Sequence, residues 1–396
     1  MDMIRAPNPM SGYEHENKKV KKLKLSILIS ALLGASTAVM ADEFEPSVDL
    51  GGAVKVKYFV DDGNEASKSN GGTFAFDALE LDIDSHISEN WTASAKYVFK
   101  NSSSNHFIKY AFAAYNGVED WQFQGGVISK PFGNKSFISH NWWESINYYM
   151  GFEDDYDLGA KAIYSSGNWT SEVAFFKNSE YSSSDTRGYA ADAFTGSIGD
   201  NTYDNEETNT FNIRQSYVFD YDKLTVQVGA SLEYGQLYNA AHDDHGTSTA
   251  YAVHLDAQYS GYQLQLQMVD YDYDQYDSEN SNGLYAMKMG GGAYEVAAKG
   301  QIFAANIAKS IGYDWGTVTL YNDYSHLTPD TDINANLNDS VINTTGVSIG
   351  VSDFFIFVDH IYGKNAVWLG GQQGLGIENQ DDNFYSLFNI SVAYYF

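Results

Sequence analysis

From Asp42 onward, apolar and polar residues alternate in segments of about ten, separated in turn by short breaks and long polar stretches. The last segment, 383–396 (NFYSLFNISVAYYF), shows the pattern most clearly. Phe384, Phe388, Ile390, Val392, Tyr394 and Phe396 share one face with Ser386, while Asn389, Ser391 and Ala393 lie on the other. Period two with one small, polar side predicts a strand. Residues 47–60 set Val54, Val56 and Tyr58 against Lys55 and Lys57. In 73–84, Leu79, Leu81 and Ile83 oppose Glu80, Asp82 and Asp84, but Phe74 and Phe76 fall out of phase, which predicts a bulge near Asp77. Next, Trp91, Ala93, Ala95, Tyr97 and Phe99 oppose Lys96 and Lys100. Further strands are read at 107–116, 121–128, 157–165, 169–177, 210–220, 224–237, 249–260, 262–273, 301–313, 316–326, 341–351 and 354–363. Residues 285–300 have no readable period and are taken as loop.

That makes about sixteen strands, with short turns at one end and long loops at the other. The mean hydropathy is −0.36, and no long apolar run follows the N-terminus, which excludes a helical membrane protein. Aromatic content is high all the same, with 31 Tyr and 23 Phe. A β-barrel in lipid reconciles the two, because apolar side chains take only alternate positions. A terminal aromatic strand fits it as well, since the last strand must pair with the first and leave no open edge. The expected fold class is all-β, a transmembrane antiparallel β-barrel. Its last strand resembles the terminal insertion signal of bacterial outer-membrane barrels, which points to Tyr394 and Phe396 as the assembly signal.

The N-terminus reads as targeting. Lys18, Lys19, Lys21, Lys22 and Lys24 precede an apolar stretch, 25–33, and Val39-Met40-Ala41 fits cleavage before Asp42. Residues 1–17 are foreign to a signal peptide and are read as a start placed too early, with initiation at Met10 or at the codon of Val20. Residues 1–41 are thus an extension plus cleaved signal peptide, and 42–396 a single barrel domain. Cleavage leaves 17 basic and 49 acidic residues, a net of −32, which argues against nucleic acid as a partner. With no cysteine there is neither a disulfide framework nor a thiolate metal site.

The segment Gly126-Val127-Ile128-Ser129-Lys130-Pro131-Phe132-Gly133, at the end of the fifth strand, resembles the strand-to-loop element of the phosphate-selective porin O and P family. The hairpin from Asp157-Leu158-Gly159-Ala160-Lys161 through Gly167-Asn168-Trp169 to Phe175-Phe176 is similar to that family too. The resemblance implies a homotrimeric diffusion porin whose third outer loop, 129–156, folds into the lumen. Family members that select phosphate use a run of lumen arginines, whereas this chain after residue 41 has only Arg187 and Arg214.

By parity, Lys55, Lys57, Lys96, Lys100, Lys109 and Lys161 face inward, with Glu80 among them. Across from them the third loop carries Glu144, Glu153, Asp154 and Asp155. A basic wall opposed to an acidic loop makes a transverse field that admits polar solutes. The alternative is that these charges pair across neighbouring strands. Trp142, Trp143, Tyr148 and Tyr149 of the same loop form either a stacking surface for sugar rings or pins against the wall. His242-Asp243-Asp244-His245 has metal-ligand residue types but lies in a polar loop and reads as a solvated turn. The run Asp270–Asp277 reads as an aromatic girdle meeting a wet rim. No phosphate loop, dinucleotide fingerprint or nucleophile elbow is present, and no cofactor is expected.

The function these readings predict is passive diffusion of small hydrophilic solutes and ions through the outer membrane, with weak selectivity. An anion-, phosphate- or sugar-selective pore is the first alternative. A barrel enzyme built around a histidine such as His254 or His326, or a surface receptor or adhesin, is the second. Expected partners are outer-membrane lipid, lipopolysaccharide and the barrel-assembly machinery.

Overall fold

The computed structural model describes residues 44–101, 105–135, 137–276, 281–372, 374–378 and 383–396. The targeting segment predicted at 1–41 lies outside them. Met1–Pro46 and Ser47–Phe396 are separate units, and the second is the barrel. Sixteen antiparallel strands close on themselves in chain order. They are β1 (Ser47–Asp61), β2 (Thr73–His86), β3 (Trp91–Lys100), β4 (His106–Val118), β5 (Trp121–Ser129), β6 (Tyr156–Ser166), β7 (Trp169–Ser179) and β8 (Asn205–Tyr221). The second half comprises β9 (Leu224–Asn239), β10 (Asp244–Tyr259), β11 (Tyr262–Asp274), β12 (Lys299–Tyr313), β13 (Gly316–Pro329), β14 (Ser340–Val351), β15 (Phe354–Lys364) and β16 (Tyr385–Tyr395). Short turns join strand pairs at one end, for example the left-handed pair Ser260–Gly261 between β10 and β11. No helix among the described residues is long and apolar enough to cross a membrane.

The bulge falls where the phase break predicts it. Lys55 pairs with Ala78 and Val56 with Phe76, so Asp77 is the extra residue. Its effect is to keep Phe74, Phe76, Leu81 and Ile83 all on the exposed outer face. Outward aromatics gather in two bands. Near the short turns Trp91 packs on Tyr115, Trp121 on Tyr164, Trp169 on Tyr217 and Tyr313 on Trp315. Near the long loops Tyr58 meets Phe74, Phe175 meets Phe211 and Tyr362 meets Phe384. Such bands flank the hydrocarbon of a bilayer in barrels of this kind.

β1 and β16 close the seam, from Ala53 opposite Tyr395 to Asp61 opposite Leu387. The Gly52 amide donates to the Phe396 carbonyl at 3.2 Å, and the Phe396 amide donates back at 3.1 Å. A Cβ at Gly52 would stand 2.7 Å from the Phe396 ring and 2.3 Å from the Glu80 carbonyl, so only glycine fits there. Deleting Phe396, or introducing Gly52→Val, is therefore expected to cut the amount of assembled, heat-modifiable barrel in membranes several-fold. Unchanged barrel levels for both variants would contradict this account of the seam.

Two readings change. Residues 284–297 are ordered as a hairpin, Leu284–Met289 with Gly292–Ala297, and β12 begins at Lys299. That hairpin belongs to a four-stranded sheet with Asp192–Ala193 and Gly374–Leu375. It lacks a clean period because Tyr285, Ala286, Met287, Lys288, Tyr294 and Val296 are all buried, on both faces. The second change is at the outer end of β11. Tyr271 and Tyr273 point inward and are buried, while Asp270 and Asp274 are exposed and Asp272 is half-buried. This is the reverse of a lipid-facing girdle, because here the strand packs its inward side on the loops filling the lumen.

Candidate functional site

The inner wall of the later strands is layered. Toward the long loops its inward residues are apolar: Leu237, Val269, Tyr271, Ile302, Leu327, Ile342, Ile361 and Leu387. They form one buried cluster with Ile146–Phe152 of loop 3, Ala191, the Leu284–Ala297 hairpin and Ala366, Val367, Leu369 and Leu375. One tier below, the inward residues turn polar: Ser231, Gln265, Gln267, Asn306, Asp323, Asp359 and Asn389, all buried. The layering explains how loop 3 sits inside the barrel, since a chain without regular structure there must find partners for its own amides and carbonyls.

The wall supplies them. Gly133 and Asn134 amides donate to Ser231 Oγ and Gln267 Oε1, and Arg214 Nε donates to the Gly133 carbonyl. Gln265 donates to the Phe137 carbonyl and Asn306 to that of Ile138. The His140 amide donates to Asp323 Oδ2 at 2.6 Å, the Trp142 amide to Asp359 and the Ile146 amide to Ser325 Oγ. The loop's entry uses the Pro-Phe-Gly segment. Phe132 is buried against Phe152, and Gly133, at φ 57°, lies so close to Gln267 that a Cβ would stand 2.3 Å from its side-chain oxygen. Burial disfavours a charged His140 ring, but Asp323, 2.7 Å from Nδ1, outweighs it and raises the pKa above the ordinary histidine value.

On the opposite wall, β1 to β4 carry a ladder of both signs. Lys57 and Lys100 reach Asp77 at 3.1 and 3.9 Å, and Lys55 reaches Glu80 at 2.6 Å. Lys96 lies 3.3 Å from both Glu80 and Asp82. The side chains of Lys55, Lys57, Lys96, Lys100 and Asp82 keep between 19 and 33 % of their surface open to solvent. Loop 3 meets this ladder at two points. Trp142 lies 4.4 Å from Lys57 Nζ, and Asp154 bonds Lys109 Nζ at 2.7 Å. Lys109 also sits 3.8 Å from the Tyr189 ring. The cross-strand pairing expected as the alternative is thus what most of these side chains make.

The other predicted residues divide. Lys161 donates to the Ser129 carbonyl and hydroxyl, away from the loop carboxylates. Glu153 does not face the ladder. It staples loop 3 from within, accepting from the amides of Ile138 and Ser139 and the hydroxyls of Ser139 and Ser145. Glu144 accepts from Ser139 Oγ. Burial pushes both carboxyls above the usual range, and for Glu144 the neighbouring Glu153 adds to the rise. Asp155 turns to Lys130 at 2.6 Å. Of the four acidic loop residues, Asp154 alone is ion-paired with the ladder.

The loop aromatics sit as pins. Tyr148 and Tyr149 are buried, with hydroxyls donating to the Tyr189 and Trp143 carbonyls, and Trp143 packs against the same cluster. Trp142 packs on the Tyr321, Phe355 and Phe357 cluster. His242 and Asp243 lie in the turn before β10, where Asp243 accepts from Tyr238, and Asp244 and His245 open the strand. His254 points inward onto Arg214 and His326 outward onto Asp339, so they stand on opposite faces of the wall. His140 and Asp323 form a buried pair that sequence spacing does not reveal, but Nε2 is held by Gln263 and not by a hydroxyl nucleophile.

No protein-family model and no curated protein matches the chain. Solved structures do. The outer-membrane channel DcaP of Acinetobacter baumannii aligns over 89% of this chain and 97% of its own at 14% identity, with a TM-score of 0.57. The anion-selective porin from Comamonas acidovorans covers 89% and 100% at 12% identity, with a TM-score of 0.55. OmpT of Vibrio cholerae, in its trimer form, covers 89% and 99% at 10% identity, with a TM-score of 0.54. The chain has the outer-membrane porin fold. At these identities the likeness is one of architecture, and it does not single out the phosphate-selective family that the Pro-Phe-Gly segment resembles.

Proposed function

We propose that this chain is an outer-membrane porin through which small hydrophilic solutes and ions diffuse passively with weak selectivity. The observation that carries this reading is the ladder on β1 to β4. It is charged and partly open to solvent inside a closed barrel, with loop 3 laid along the facing wall. Charges of both signs along one path favour polar solutes over apolar ones without strongly preferring either ion. A phosphate site needs convergent cationic donors. Here Lys55, Lys57, Lys96, Lys100 and Lys109 each have a carboxylate within 4 Å. Loops fill much of the lumen against the later strands, so the path proposed runs along the ladder and is narrower than a bare sixteen-strand lumen. Liposomes carrying the protein should swell in small sugars and more slowly as the sugar grows. Absence of swelling would favour a receptor or an enzyme.

The same reading carries an outer-membrane address, contact with lipid and lipopolysaccharide, insertion by the barrel-assembly machinery through Phe396, and a homotrimer. It also sets the orientation, short turns periplasmic and long loops outside. The protein has no cysteine, so a single introduced one reports cleanly. Ser183, in a long loop, is buried and unsuited to labelling, whereas Asp200 of that loop is exposed. An impermeant thiol reagent on intact cells should label Asp200→Cys and spare Gly167→Cys. The opposite pattern would invert the orientation.

A further inference from the structure

Where loop 3 rejoins the wall, the lumen holds a second charged group that the ladder does not use. Asp155 of loop 3, Asp157 of β6 and Asp192 of the Asp192–Ala193 strand each offer a carboxylate oxygen, and these oxygens lie within 4.8 Å of one another. All three residues are buried, at 3, 2 and 1 % exposure. Glu233 of β9 is buried beside them. Two buried lysines serve this group. Lys130 Nζ lies 2.6 Å from Asp155 Oδ2, 3.4 Å from Glu233 Oε2 and 3.7 Å from Asp157 Oδ2, and Lys288 Nζ lies 3.4 Å from Asp192 Oδ2. Glu180 and Glu207 lie within electrostatic reach of the same group, so carboxylates outnumber the two ammonium groups. Asp157 Oδ1 and both Asp192 oxygens accept no hydrogen bond from the protein. Carboxylate oxygens held out of water without donors are costly, so the arrangement calls for a further positive charge.

The geometry points to a divalent-cation site at Asp155, Asp157 and Asp192, one that takes calcium through carboxylate oxygens. Oxygens this far apart fit around one ion at the about 2.3–2.6 Å that calcium prefers. A flexible, all-oxygen donor set suits calcium over magnesium, which keeps most of its water. Bound there, the ion joins the return of loop 3, the barrel wall and the lumen sheet; Lys130 already links the first two, while Lys288 pairs with Asp192 within the sheet itself. Asp192 is 35 residues from Asp157 and enters from a different loop, so no spacing motif announces the site.

The test uses the whole barrel, purified in detergent, stripped with EDTA and titrated with Tb³⁺ in excess Mg²⁺. Tyr285, which stacks on Tyr273 at 4.4 Å and lies within electrostatic reach of Asp192, serves as the sensitiser. One saturable equivalent is expected, displaced by Ca²⁺. Asp157→Asn and Asp192→Asn should each weaken Ca²⁺ displacement at least tenfold, whereas Asp270→Asn on the exposed outer rim should not. Heat-modifiable migration on gels reports which variants still form a barrel. If Asp192→Asn does not, Asp157→Asn and Asp155→Asn read the same site. A wild-type barrel without a saturable, Ca²⁺-displaced signal overturns the proposal, as does a titration unchanged in the folded Asp variants.

Discussion

Asp323→Ala is expected to unseat loop 3 and to raise single-channel conductance and current noise, while the barrel still assembles. Asp323 accepts from the His140 amide and Asn141 Nδ2 and holds His140 Nδ1, all buried. Alanine leaves three donors without partners. Each such group costs about 1–3 kcal/mol, so the loop loses on the order of 5 kcal/mol of anchorage even when the losses are not additive. The strand itself survives, because β13 pairs with β12 and β14 through its backbone. Asp323→Asn keeps one acceptor oxygen and should have a smaller effect. Limited proteolysis checks the mechanism: cleavage within 129–156 should appear in the alanine variant and not in wild type. Unaltered conductance together with full protection would show that the loop does not depend on this anchor.

The second large effect is on ion preference. Asp154→Asn removes the carboxylate that neutralises Lys109 where loop 3 meets the ladder. A unit charge about 4 Å away is worth about 1 kcal/mol even in water-like surroundings, which corresponds to roughly a fivefold change in ion preference. The pore should shift toward anions by about that factor, read as a reversal potential in a KCl gradient, and less at high salt. Glu153→Gln is the contrasting variant. Glu153 lies one position away in sequence, but its carboxyl is enclosed by Ile138, Ser139 and Ser145. It should leave the reversal potential where it is. Equal shifts in the two variants would mean that the acidic run acts as a diffuse field and not through one contact.

Much of the wall was legible in the sequence because β-structure repeats every two residues and lipid demands apolar side chains outside. The Asp77 bulge, the inward lysines of β1 to β4 and the terminal seam all follow from that alternation. It fails wherever the lumen is filled. Once loops pack against the inward side, both faces of a segment become apolar, as in 284–297, or the faces exchange, as at Tyr271 and Tyr273. Loop 3 misled for a different reason. Glu153, Asp154 and Asp155 are adjacent, yet they point respectively into the loop, at Lys109 and at Lys130. Irregular backbone has no period, so composition can place charge in a loop but not aim it. The polar tier of Ser231, Gln267, Asn306, Asp323 and Asp359 left a trace after all, as isolated polar residues on inward positions. Only the loop they hold gives them meaning.

The most direct test of the porin reading is single-channel recording of the purified barrel in a planar bilayer under a KCl gradient. Discrete, lasting conductance steps that reverse close to zero voltage, displaced slightly to the cation side by the acidic loops, are expected. A silent bilayer, or strong anion preference with chloride current blocked by low phosphate, would contradict it.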